Sequence, residues 1–480
     1  MTVSATMGRL GRIAQWIITV VSVLFLTIYF GWAFESRRML QLQPEHRVEF
    51  DNEFRARHEE DTTWQDYLDI ESLLATELDE KIHKGERPDS LVDRYTPGSL
   101  SHPGHFPSDW NRSYELSVPS PRGVAVLLHG LTDSPYSMLS TAQTLAGAGY
   151  NVVVPRMPGH GFAVGGLVQA RWEDWTAAVR VAIRHAQTLP GHDRSFILGG
   201  YSNGALLSIN YALQCEELED MRCPDGLVLL SPAIAVSKAA IVTNLHPALS
   251  WMPYFEQFEW LSILPEIDPF KFTSFPKRAA WEVFRVSGRM HSELARPAEA
   301  AKLPPILTFQ SVVDNTVSAR AIVSLLYSRL PANGSQLVVY DLNRNSTALH
   351  LMKTQPPDLA EYFRSLGTLD YGVTLVMNTD RTPDIELLKL KPGDAGSTIT
   401  PTNLRWPQSA YSLSHIAIPF RSDDPVYGKE NNPETLTLGS LAPRGEAGVL
   451  MLTSNYFLRA RSNPFYGFQA RTIVEWLDTL

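Results

Sequence analysis

The chain opens on a stretch with no polar–apolar alternation. Ile13 to Phe34 (IAQWIITVVSVLFLTIYFGWAF) runs 22 residues without a charge, long enough as a helix to cross about 30 Å of hydrocarbon. Trp16, Tyr29 and Trp32 stand near its ends, where interfacial aromatics are favoured. The run is longer than a signal-peptide core, and no small-x-small cleavage site follows it. It predicts a single-pass anchor over residues 1–34. Arg9 and Arg12 precede the run and Arg37 and Arg38 follow it. With the N-terminal amine added, the balance predicts an inside N-terminus and a body outside the cytoplasm, periplasmic in a bacterium.

Residues 35–107 are polar and charged, but TWQDYLDIESLLATELDEKI places apolar side chains three and four apart and predicts a helical extension packed on the body. From 108 to 480 the pattern changes to short apolar runs alternating with amphipathic stretches. That alternation predicts an α/β fold with a mostly parallel central sheet covered on both faces. The predicted strands are GVAVLLHG from Gly123, NVVVPR from Asn151, SFILGG from Ser195, DGLVLLSP from Asp225, PILTFQSV from Pro305 and SQLVVYDL from Ser335. MLSTAQTLAGAG, WEDWTAAVRVAIRHAQTL, ALLSINYALQ and SARAIVSLLYSRL are the helical stretches between them, and FQARTIVEWLDTL closes the chain.

Two segments interrupt this rhythm and read as insertions into one domain. The first, about 233–303, is dense in aromatics, among them Trp251, Trp260, Phe270, Phe272 and Trp281. The second, about 351–413, holds a further strand candidate, GVTLVMN, and the turn-rich LKPGDAGSTITPTN.

Composition narrows the classes. At 480 residues and 44% hydrophobic the chain buries a substantial core. A formal net charge of −9 argues against a nucleic-acid partner, because polyphosphate binding needs a basic surface that releases counterions. The two cysteines, Cys215 and Cys223, are eight apart, too wide for CxxC redox or zinc spacing, with no Cys or His neighbours to complete a metal site. An extracytoplasmic body makes them a disulfide candidate; otherwise they are buried thiols. Neither a metal nor an organic cofactor is expected.

Candidate chemistry centres on GGYSNGA. It contains G-x-S-x-G from Gly200 to Gly204, after a β-type run and before a helix-forming one. That context suits a sharp strand-to-helix turn carrying a nucleophilic Ser202, with glycines two residues away on either side to avoid clashes. About 70 residues earlier LLHGLTDSPYS ends the first strong strand. Acyl transfer develops an oxyanion that needs fixed donors, and the backbone amides of Leu131 and Asn203 are the candidates. His129 reads as structural. Asp314, in VDNTV after strand PILTFQSV, stands where catalytic groups gather in open α/β sheets, with Asp341 in reserve; an N-cap role is the other reading of Asp314. In the order Ser, Asp, His, only His350 and His415 follow Asp314. His415, between small polar residues and an apolar stretch, is the preferred base, and His350 the alternative.

Together VLLHGLTDSP, the P-G-H-G of Pro158 to Gly161, GGYSNGA and the DNTV of Asp314 to Val317 resemble the α/β-hydrolase superfamily, in its esterase, monoacylglycerol-lipase-like and serine-aminopeptidase-like branch. The resemblance covers about Gly123 to Asp341. It implies a Ser202–Asp314–histidine triad, an oxyanion hole at Leu131 and Asn203, and a cap over the site formed by the aromatic insertion. A roughly hundred-residue gap from Asp314 to His415 departs from the family pattern of a few tens. The implied function is hydrolysis of acyl or lipid-like esters through an acyl-enzyme. A serine peptidase, an amidase, an acyltransferase and an inactive hydrolase-like scaffold are the alternatives.

Overall fold

A computed structural model describes residues 13–480 except 14, 28, 32–33, 35–38, 84–89, 236–255, 313–320, 348, 350–357, 395, 408–409, 429–434 and 440–457. Asp314 and His350 lie outside the described residues, as do Trp251 and part of the apolar N-terminal run. Residues 15–27 of that run are helical, with Trp16, Phe25 and Leu24 exposed. Among the described residues, no helix is long and apolar enough to cross a membrane.

The strands, in chain order, are β1 (Tyr114–Leu116), β2 (Gly123–Leu128), β3 (Tyr150–Val154), β4 (Ser195–Tyr201), β5 (Gly226–Leu230), β6 (Trp260–Ser262), β7 (Phe275–Pro276), β8 (Ile306–Ser311), β9 (Gln336–Tyr340), β10 (Gly372–Thr379), β11 (Thr382–Leu390), β12 (Ser397–Arg405), β13 (Ala410–Leu413) and β14 (Leu458–Ala460). The principal helices are α1 (Trp64–Leu78), α2 (Leu139–Gly147), α3 (Trp172–Ala186), α4 (Asn203–Ala212), α5 (Lys277–Leu294), α6 (Leu359–Ser365) and α7 (Tyr466–Leu477). SARAIVSLLYSRL is described from Ala321 on, where it forms a π-turn and a 3-10 turn rather than an α-helix.

Ten strands make one sheet in the order β1-β3-β2-β4-β5-β8-β9-β10-β11-β12. The run from β3 to β10 is parallel; β1 and the meander β10–β12 are antiparallel. The predicted strands are present, and their continuous apolar runs are explained by burial on both faces. Val124, Val126 and Leu128 of β2 enter one core layer, with α3, α4 and α5, while Ala125 and Leu127 enter the other, with α2 and α7. Each of the buried Val and Leu side chains contributes about 1.5–3 kcal/mol by leaving water. The order reverses direction around β2, where the flanking strands are β3 and β4, and this crevice outside the carboxyl ends is where α/β sheets place ligands.

The extension is part of the body. Thr63 caps α1, its side chain accepting from the Asp66 amide while the Asp66 carboxylate accepts from the Thr63 amide. Glu71 of α1 and Glu53 before it then meet Arg156, whose guanidinium is fully buried. Arg156 Nη2 bonds Glu53 at 2.9 Å and Nε bonds Glu71 at 3.3 Å, while the Gly159 amide donates to the same Glu53 at 2.8 Å. The P-G-H-G turn is thereby fixed from the extension side. Gly159 and Gly161 both hold φ above +80° there, a conformation glycine adopts without strain.

The second insertion is a sheet extension rather than a separate unit. GVTLVMN becomes β10 and pairs parallel with β9. The turn-rich stretch contains β12, whose side chains are mostly solvent-facing. The chain leaves the core at Asn343 and returns to it: the Asn343 amide donates to Tyr411 O at 2.8 Å and its Nδ2 to Ala410 O at 2.9 Å.

Cys215 and Cys223 are joined in a disulfide.

Candidate active site

The turn after β4 carries the site. Ser202 has φ +55° and ψ −112°, a conformation costly for any residue with a Cβ. Three backbone bonds hold it there. The Ser202 amide donates to Leu230 O at 2.9 Å, and its carbonyl accepts from Leu206 and Ala233 at 3.1 Å. The flanking glycines are required sterically: a Cβ at Gly200 would lie 2.4 Å from the Gly204 carbonyl carbon, and one at Gly204 would lie 2.0 Å from Leu128 O. The turn is the strand–Ser–helix elbow expected from GGYSNGA.

Of the three other described non-glycine residues with positive φ, Thr132 (65°) and Ser231 (45°) follow the adjacent strands β2 and β5, and Asp220 (57°) lies elsewhere. Three strained residues thus gather at neighbouring strand ends, the distribution expected where strain serves function. Neither Thr132 nor Ser231 was marked by the sequence, since threonine and serine do not by themselves demand φ above zero.

The oxyanion candidates sit on either side of this edge. Asn203 is buried and is the first residue of α4, where backbone amides have no carbonyl four residues back to bond. Leu131 is half-buried and packs on two core clusters. His129 is structural, as expected. The Met157 amide donates to its Nε2 at 2.9 Å, so the proton sits on Nδ1, which donates to Gly130 O at 2.9 Å. Burial, reinforced by His160 with ring centroids 4.9 Å away, holds the His129 pKa well below its ordinary value. Burial likewise pushes His160 down to about 3. Both imidazoles are therefore neutral, and they pack the loop after β2 against the P-G-H-G turn.

His415 is buried, at the first position of a 3-10 turn, His415–Ala417, capped by Ser414. Its ring lies 5.0 Å from that of Tyr201, the neighbour of Ser202. β13 brings it there. Ser311 Oγ, at the end of β8, donates to Leu413 O at 3.0 Å, and Asn343 holds residues 410 and 411. The hundred-residue gap is thereby accounted for: most of it is the sheet extension, which closes on itself at Asn343. Asp314 falls two residues beyond Val312, whose amide bonds Tyr340 O at 3.0 Å. The reserve acid, Asp341, is buried, burial raises its pKa, and one oxygen accepts from Arg344 Nε at 2.7 Å while its Oδ1 is buried with no hydrogen-bond partner among the described residues.

The insertion at 233–303 reaches the loop after β2 that carries Leu131. Its described aromatics pack largely on the rest of the domain: Trp260 and Phe272 join Leu42, Val164 and Leu167 in one cluster, and Phe270 stacks on Tyr136 with centroids 4.2 Å apart. From this segment the Phe272 amide donates to Thr132 O at 2.7 Å, and Lys271 Nζ pairs with Asp133 Oδ2 at 2.9 Å. Among the described residues, no group of His, Cys, Asp and Glu is arranged to hold a metal.

Residues 119–344 match the family described as "Serine aminopeptidase, S33". A thermostable monoacylglycerol lipase of Bacillus sp. (strain H-257) is 42% identical over 59 residues, 12% of this chain and 23% of that protein; the chain thus spans about a quarter of the curated relative's length. Solved structures similar to it include a monoacylglycerol lipase of Paleococcus ferrophilus (20% identity, 53% of this chain and 96% of that one, TM-score 0.36). A soluble variant of monoglyceride lipase from Saccharomyces cerevisiae is another (14%, 48% and 82%, TM-score 0.36). The family match takes in β2 to β9 and the elbow at Ser202, so it is this part of the chain, somewhat under half of it, that is similar to that hydrolase family.

Proposed function

We propose that the protein is a membrane-anchored serine hydrolase that cleaves carboxylic esters of acyl or lipid-like type. The observation that carries the reading is Ser202 in its strained elbow beside the strand ends. His415 takes the Ser202 proton as the hydroxyl attacks the acyl carbonyl, and Asp314 stabilises the imidazolium. The amides of Leu131 and Asn203 hold the oxyanion. His415 returns the proton to the leaving alkoxide, and water activated by the same imidazole releases the acid. Acyl esters are favoured by the monoacylglycerol lipase similarity. The family description also names aminopeptidases, so an aminoacyl amidase is the second reading, distinguished by comparing ester with aminoacyl-amide turnover.

The charge-free run from Ile13 to Phe34 supports the anchor, and the disulfide supports a body facing an oxidising compartment. One preparation tests both halves. Wild-type activity on p-nitrophenyl esters is expected to sediment with membranes and resist alkaline carbonate, and Ser202→Ala to lack it. Undiminished turnover by Ser202→Ala overturns the triad, and release of activity by carbonate overturns the anchor.

A further inference from the structure

We propose that Lys271, from the aromatic insertion, is a positioning residue for the oxyanion loop, acting through Asp133; the inference rests on the hydrolase reading of Ser202. The two side chains meet at 2.9 Å, with Asp133 only 3% exposed and Lys271 18%. Asp133 is in direct register with the loop. Its amide donates to Gly130 O at 3.2 Å, and its Oδ2 lies 2.6 Å from where a Cβ on Gly130 would stand. The Tyr201 ring closes on that same Cβ position at 2.9 Å. Gly130 is thus held between the Asp133 carboxylate and the residue preceding the nucleophile.

One residue on, Thr132 keeps φ +65° while its carbonyl accepts from the Phe272 amide. The amide of Leu131 belongs to the planar peptide between Gly130 and Leu131, and it is followed by Thr132. Clamping Gly130 through Asp133, and Thr132 through Phe272, fixes the direction in which that N–H points.

The clamp is itself anchored. Asp268 accepts from the amides of Phe270 and Lys271, each at 3.0 Å, and from the Tyr427 hydroxyl at 2.7 Å. Segment 268–272 therefore reaches the loop as a braced arm, supported from the C-terminal part of the chain. Charge explains why a lysine ends the arm: a carboxylate buried this deeply needs a paired cation, and the ammonium holds the Asp133 side chain against Gly130.

The test uses the full chain in detergent, with kcat and KM on a p-nitrophenyl ester, the rate of Ser202 labelling by a fluorophosphonate, and thermal melting. Lys271→Met is expected to lower kcat and the labelling rate by about tenfold, with KM within about twofold, and Lys271→Arg to restore most of the loss. The double variant Lys271→Met/Asp133→Asn removes both charges, so it is expected to regain the melting temperature lost by either single change but not kcat. It carries the decision if a single variant fails to fold. Wild-type kcat in Lys271→Met, or recovery of kcat together with melting temperature in the double variant, overturns the proposal and leaves the hydrolase reading standing. A wild-type protein that neither turns over esters nor takes the label overturns the hydrolase reading, and this proposal with it.

Discussion

Ser202 binds backbone strain and chemistry in one residue. A non-glycine residue at φ +55° carries about 1–3 kcal/mol of strain, which the bonds to Leu230, Leu206 and Ala233 sustain. Ser202→Ala removes the hydroxyl and keeps the strain, whereas Ser202→Gly removes both. Both variants are expected to be inactive, with Ser202→Gly the more stable by about 1 kcal/mol in urea unfolding. Equal midpoints would mean that the turn stores no strain. This residue was legible in the sequence because Gly200 and Gly204 are required by backbone contacts on either side of it. Lys271 was not legible. Its partner Asp133 lies 138 positions away, and neither residue type, alone in its local pattern, marks an ion pair.

At the scale of elements, the sheet extension is what the sequence obscured. GVTLVMN reads as a strand because most of its apolar residues are buried in β10, but β12 has no buried side chain to impose alternation, so STITPTN reads as part of a turn-rich stretch. The preference for His415 rested on local polarity and could not foresee the clip that places it. Asn343 is that clip. Its Nδ2 donates to Ala410 O, and its Oδ1 accepts from Asn378 Nδ2 and from the Asn345 amide. Asn343→Ala leaves buried partners unsatisfied at about 1–3 kcal/mol each. It is expected to lower ester turnover more than it lowers the melting temperature, with faster amide exchange over residues 410–417. A variant whose turnover falls only in step with global unfolding would assign Asn343 a purely structural part.

Across the whole molecule, stability is tied to pH by imidazoles buried in neutral form. His160, held at about 3 against an ordinary value near 6.5, takes no proton in the folded state until well below the pH at which the unfolded chain does. Its contribution is therefore full above about pH 6.5 and is lost as pH falls toward 3, at up to about 1.4 kcal/mol per unit. His129 acts with the same sign. The buried carboxyls of Glu71, Asp268 and Asp424 are raised, chiefly by burial, and act with the opposite sign: their contribution is present at low pH and lost as pH rises through their folded values. The difference between two proteins isolates the histidine. From pH 6.5 to 4.5, wild type is expected to lose about 2 kcal/mol more than His160→Gln in urea unfolding, and parallel curves would remove His160 from the account.

The excursion that begins and ends at Asn343 also has a practical side. Its far turn, between β11 and β12, contains Gly393 with φ +72° and open space where a side chain would stand. Exposed turns of this kind accept inserted chain more readily than any other place in a domain. A reporter or carrier domain spliced between Gly393 and Gly396 would ride on the outermost strand of the sheet, with β5, β8, β9, β10 and β11 lying between it and the strand that leads to Ser202. This makes the turn the natural port for fusing cargo to the protein while leaving the turn that carries Ser202 unencumbered.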